Sequence, residues 1–143
     1  MELDVRALPR TIEASAVERL VDDEGGAPLR CCLRDSRPGE ELLLTLVSPP
    51  GPQGAYAESG PVFVHAGNCD GPASSGYPDE FRRRTQVFRA YSPDGRIVGG
   101  RVVRPTDDQE AVARELLTAE GVAFLHSRNL VHGCYMFAIH PAA

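Results

Sequence analysis

The sequence predicts an α+β fold. It would be a single domain over residues 1–143, built on a mainly antiparallel twisted sheet of six to seven strands, with two helices and two long Gly/Pro-rich loops. Three observations predict it. A chain of 143 residues is long enough for one core and too short for two. Its strand-like runs are joined by turn signals instead of by regularly alternating helices. Only two segments carry the start and stop signals of a helix.

Taken in order, residues 2–7 alternate polar and apolar and read as a strand. Ser15-Ala16-Val17-Glu18 has the capping-box pattern, and Val17, Leu20 and Val21 give one apolar stripe, so a helix is expected from Ser15 until Gly25-Gly26 stops it. Residues 36–39 form a turn, and residues 41–47 are an apolar strand expected to be covered on both faces. A Pro/Gly-rich connection over residues 48–60 leads into a strand at 61–66, with Val62 and Val64 on one side and Phe63 and His65 on the other. A second long loop follows, from 67 to about 78. Structureless loops of this length in a compact domain are usually functional or disordered, and here two of them flank one strand.

Residues 85–90 and 96–103 read as a hairpin around Ser92-Pro93-Asp94-Gly95. Thr106-Asp107-Asp108-Gln109 is a second capping box. It opens a helix to about Ala119, with Ala111, Val112, Leu116 and Leu117 inward. Residues 122–127 and 134–140 are the last strands.

Composition excludes several functions. The net charge is −5 and every basic residue is Arg, which argues against nucleic acid as a partner, because such binding rests on phosphate neutralisation. With no Lys there is no Schiff-base lysine and no P-loop lysine. The apolar runs are far shorter than a membrane helix, and no secretory signal stands at the N-terminus, so a cytoplasmic location and no membrane partner are expected. A homodimer is compatible with the sequence. Gly-x-Gly-x-x-Gly, Walker A, Gly-x-Ser-x-Gly and His-Glu-x-x-His are all absent. Arg82-Arg83-Arg84 reads either as a solvated turn near a short helix or as a docking point for an anion.

Chemistry can sit in three places. His65 ends a strand and Cys69 opens a glycine-containing loop. An imidazole there can stabilise a thiolate nucleophile, the pair can be half of a zinc site, or both can be structural. No Cys-x-x-Cys is present, so no metal is favoured. If zinc were bound, Cys32, His65, Cys69 and Cys134 would be its ligands. Adjacent Cys31 and Cys32 would point to opposite faces if they lay on a strand.

The second place is residues 122–129, where alternation puts Phe124, His126 and Arg128 on one face. Arg128 either pairs a local acid at the sheet edge or, with Asn129, hooks an anionic ligand beside His126 as general acid or base. The third is Tyr56, Glu58 and Ser59, with Tyr77 in the next loop; these either tie loops down or orient a substrate.

Together these residues point to a small enzyme acting on an anionic or carbonyl-containing metabolite. His65, Cys69 and His126 would be catalytic, and Arg128, Asn129, Tyr56, Glu58 and Tyr77 would bind the small-molecule ligand. The alternative is a non-catalytic small-ligand or zinc-binding module. The enzyme reading requires His65 and Arg128 to open into one hollow.

One further pattern spans most of the chain. Cys32-Leu-Arg-Asp, Pro38-Gly39-Glu40, Tyr56…Glu58-Ser-Gly60-Pro61…Phe63-Val-His65…Cys69, Tyr77-Pro78…Phe81-Arg82, Arg89-Ala-Tyr91 and His126-Ser-Arg128-Asn129…Gly133-Cys134 together resemble a family of small bacterial proteins, the domain-of-unknown-function family 1203. The resemblance covers roughly residues 3–140. It implies a stand-alone soluble domain and carries over no activity. Some relatives have a further Cys where this chain has Phe137, so a metal site depending on that Cys is not implied here.

Overall fold

The structure, a computed structural model, describes residues 1–9, 16–52 and 54–142. The chain runs through β1 (Leu3–Arg6), β2 (Ala16–Asp22), β3 (Pro28–Leu29), β4 (Arg34–Asp35), β5 (Glu40–Val47), β6 (Gly60–His65), a 3-10 helix (Asp79–Arg83), β7 (Gln86–Tyr91), β8 (Ile97–Val103), α1 (Gln109–Thr118), β9 (Phe124–Asn129) and β10 (Tyr135–Pro141). The fold is therefore mostly β. Among the described residues ten strands form two five-stranded sheets, with one α-helix, which corrects the expected α+β fold on one sheet of six to seven strands with two helices.

The seven expected strands are present as β1, β5, β6, β7, β8, β9 and β10. The extra ones are β2 and the two-residue strands β3 and β4, which are too short to show any periodicity. Residues 16–22 are an edge strand and not a helix. Leu20 faces Leu42 and Val21 faces Glu41 across the pairing with β5. Three large apolar residues in seven, Val17, Leu20 and Val21, fit either period, and the β-branched Val17 and Val21 suit a pleated edge. Ser15, the expected cap, lies outside the described residues.

The first sheet has the order β1-β10-β9-β7-β8 and is antiparallel throughout. One face is covered by α1, whose Ala113 and Leu117 pack on Phe88, Leu125, Phe137 and Ile139. The helix begins at Asp108, whose side chain accepts the Ala111 N–H at 3.1 Å, rather than at Thr106. Of the residues expected inward, Ala111 is exposed and Val112 and Leu116 are half-buried. The second sheet has the order β2-β5-β6-β3-β4, antiparallel except for the β3–β6 pair. β5 buries Leu42, Leu43 and Thr45 but leaves Leu46 exposed, so one of its faces is only partly covered. The sheets meet where Leu8, Val62 and Tyr135 pack together. No helix among the described residues is long and apolar enough to cross a membrane.

Candidate metal centre

Everything that gathers the site belongs to the second sheet. β3 runs parallel to β6 with Leu29 beside Phe63, and the Arg30 N–H donates to the Phe63 carbonyl at 2.9 Å. The chain then coils back instead of extending. The Leu33 N–H returns to the Leu29 carbonyl at 2.9 Å, and Leu33 takes a left-handed φ of 57°, unusual for a branched residue. This turn places Cys31 and Cys32 beside the end of β6, where His65 stands. Two residues beyond β6, Gly67 turns the chain with φ 102°, and Cys69 closes the group from the loop.

The ligand atoms of Cys31, Cys32, His65 and Cys69 all lie within 4.8 Å of one another. His65 Nδ1 is 3.6 Å from Cys31 Sγ and 3.7 Å from Cys32 Sγ, and the His65 N–H donates to Cys31 Sγ at 3.3 Å. On the far side of the ring, Nε2 is 2.8 Å from a Glu40 carboxylate oxygen. Arg34 Nη2 also lies 3.1 Å from Nε2, but it donates to Glu40 at 2.8 Å; with the carboxylate the nearer neighbour and able only to accept, Nε2 carries the hydrogen, and in the neutral ring Nδ1 presents its lone pair to the sulfurs. Arg34 holds Glu40 in a two-pronged pair at 2.9 and 2.8 Å. That bond, with the charge behind it, brings the Glu40 carboxyl down to about 2.

The thiols differ among themselves. The hydrogen bond between Cys31 and Cys32 raises the former, reinforced by burial, and lowers the latter. Burial raises Cys69. Cys32, Cys69 and His65 line a cleft of about 410 Å³ whose walls also carry Arg34, Glu40, Asn68 and Asp70.

The other candidate residues lie elsewhere. His126 is buried behind the 48–60 loop, where its Nε2–H donates to the Pro50 carbonyl at 2.9 Å and the rings of Tyr91, Phe124 and Tyr135 enclose it. Arg128 is buried and gripped by Glu58 of the same loop, with Nη1 at 2.7 Å. Asn129 accepts the N–H groups of Val131 and His132 at 3.0 and 3.2 Å and so shapes its own turn. Tyr56 is exposed on the loop. Tyr77 is buried and donates to Gln109 at 2.6 Å, in a core network with Gln86. Cys134 sits beyond β9, its Sγ 3.7 Å from the His132 carbonyl, and takes no part in the sulfur cluster. His65 and Arg128 line different cavities. Arg82 and Arg83 form the last turn of the 3-10 helix and Arg84 follows it, in ion pairs with Asp79, Glu110 and Asp35.

Three participants escaped the sequence reading. On a strand Cys31 would diverge from Cys32, and the signals for a turn instead are Pro28 and Pro38-Gly39, which bracket the pair. Arg34 and Glu40 carry no local signal, because only the fold brings them to His65.

A family model described as a protein of unknown function (DUF1203) matches residues 26–140. No curated protein matches the chain, and no solved structure does.

Proposed function

The chain belongs to the DUF1203 family, and we propose that this member is a metal-binding module that holds one soft divalent cation on Cys31, Cys32, Cys69 and His65, with zinc the ion that suits the donors best. Donor spacing carries the reading. A tetrahedral zinc ion with bonds of about 2.3 Å to sulfur and 2.0–2.1 Å to nitrogen holds neighbouring S and N donors roughly 3.6 Å apart. His65 Nδ1 stands 3.6 and 3.7 Å from two of the sulfurs. The imidazole is also braced as a ligand should be, with its outer N–H on a carboxylate that an arginine fixes in turn.

Four protein donors complete a tetrahedron and leave no open position, which is the character of a structural site. Such an ion would tie the turn at residues 30–33 to the loop after β6. The enzyme reading would need His65 and Arg128 in one hollow, and they line separate ones.

Elemental analysis of the purified, reduced chain tests the proposal. About one zinc per chain is expected, and cobalt loading should give thiolate-to-metal charge-transfer absorption. Cys31→Ser and Cys69→Ser should lose the ion, Cys134→Ser should keep it, and Glu40→Gln should weaken it by about 10–100-fold at unchanged stoichiometry. A reduced chain that takes up no zinc and gains no thermal stability from it overturns the reading.

A further inference from the structure

Arg30 is the most deeply buried guanidinium among the described residues, at 3% exposure, and no carboxylate among them pairs with it. Its Nε donates to the Tyr135 carbonyl at 2.7 Å and its Nη1 to the Pro28 carbonyl at 2.5 Å, which fixes the plane of the group between the two sheets. Nη2 makes no hydrogen bond to a described residue. A buried cation without a counter-charge is costly, and carbonyl dipoles offset only part of that cost. Protein interiors normally resolve such a charge with an acid. Here the group borders a cavity instead.

That cavity, of about 340 Å³, is separate from the sulfur cleft. Arg84 stands on the same wall, but it is already committed, with Nη2 donating to Asp35 at 2.8 Å and to the Gly26 carbonyl at 2.7 Å. Arg84 thus has a carboxylate partner, shared with Arg83, whereas Arg30 has none among the described residues. The cavity's other wall is apolar. Leu44 and Phe63 face each other across β5 and β6 and project from the same side of the sheet, and Pro61 and Val62 also border the cavity. The volume lies at the lower end of ligand pockets.

We infer that this cavity between the sheets binds a small monoanionic carboxylate with an apolar chain, the carboxylate on Arg30 and the chain against Leu44 and Phe63. A guanidinium offers a carboxylate a planar, two-pronged fit. A dianion such as phosphate would bring a second charge for which the cavity has no free partner, since Arg84 is held by Asp35, and would leave the apolar wall unused. The inference rests on Arg30 and its cavity and not on the metal reading, so either can fail alone.

The probe is octanoate, titrated calorimetrically into the reduced wild-type chain, with acetate, 1-octanol and inorganic phosphate as comparisons. Octanoate should bind, and each comparison should bind at least about tenfold more weakly. Cys134 borders the same cavity, so octanoate should also slow its alkylation, read on its own peptide by mass spectrometry. Arg30→Met should lose about tenfold or more in affinity while keeping the wild-type circular dichroism. Should that variant fail to fold, Leu44→Glu sets a carboxylate in the apolar wall and should abolish octanoate binding. The inference is overturned by a folded wild type that ignores octanoate at millimolar concentrations. It is equally overturned by 1-octanol or phosphate binding as well as octanoate does, by Cys134 reacting at an unchanged rate, or by Leu44→Glu binding normally.

Discussion

His126 shows what a buried side chain does to the whole chain's response to acid. Burial first, and then the nearby Arg128 and Arg89 charges, hold its pKa down to about 4 from the ordinary 6.5, against the bond to the Pro50 carbonyl. As pH falls from 6.5 towards 4, the unfolded chain takes up a proton at this residue and the native chain does not. Stability contributed by the neutral ring is therefore fully present above about 6.5 and is lost on the way down to about 4, at up to roughly 1.4 kcal/mol per pH unit. The denaturant midpoint should fall over that window, and less steeply in His126→Gln, which can still donate to Pro50. Identical slopes would refute the argument. His140 is also lowered by burial, and it contributes to both chains alike. His126 illustrates as well what the sequence could convey about single residues. Its place on the Phe124–Arg128 face follows from alternation and is observed. Its enclosure by three rings depends on Tyr91 and Tyr135 from other strands, and no local spacing encodes that. Cys31 is the harder case: whether vicinal thiols diverge or converge depends on the backbone between them, and the left-handed Leu33 gives no compositional warning.

At the scale of elements, the hairpin between β7 and β8 does more than join two strands. Its turn residue Gly95 has φ +83°, and a Cβ there would lie 3.0 Å from the Pro52 carbonyl oxygen and 3.2 Å from Pro52 Cβ. The turn thus braces the loop that covers His126 and supplies Glu58 to Arg128. Gly95→Ala should cost about 1–3 kcal/mol, combining left-handed strain with the clash. Gly133→Ala has a similar φ of +76° and nothing within 4 Å, so it should cost only the strain. Urea unfolding of the two variants measures the difference, and equal losses would mean that the contact with Pro52 contributes nothing. Pro93 and Gly95 made this turn legible because turn chemistry is local. β2 was illegible for the opposite reason. Three large apolar residues in seven leave the period undecided, and its strand state comes from pairing with β5, an interaction across some twenty residues of sequence.

For the whole molecule, the decisive fact is that the described residues form two large cores, joined by the small cluster of Leu8, Val62 and Tyr135. The first joins β7, β9 and β10 to α1 and contains none of the four cluster residues. The second contains Cys31, Cys32 and Cys69, packed with Leu29, Leu42, Leu43 and Val64. The sequence showed enough strands for a sheet but not that they divide between two. That division is set by which strands pair, β5 with β2 and β6 and not with any strand of the first sheet, and β3 and β4, two residues each, extend the second sheet without leaving a periodic trace. The division has a mechanical consequence. If an ion links the 30–33 turn to Cys69, removing it loosens the second core, and it reaches the first only through Leu33 of that turn, while Phe88, Leu125, Phe137 and Ile139 keep their packing against the helix. Ligand binding stabilises the units that hold the ligand, and native-state exchange reports each unit separately. After chelation, amide hydrogen exchange should accelerate by about tenfold or more at residues 30–34 and 65–71. The amides of β7, β9 and β10 should keep their rates, because their protection comes from strand pairing within the first sheet and from a core that the turn enters only with Leu33. Uniform acceleration across both sheets would mean that the cores unfold as one unit. Unchanged exchange around Cys69 would mean that no ion braces that loop.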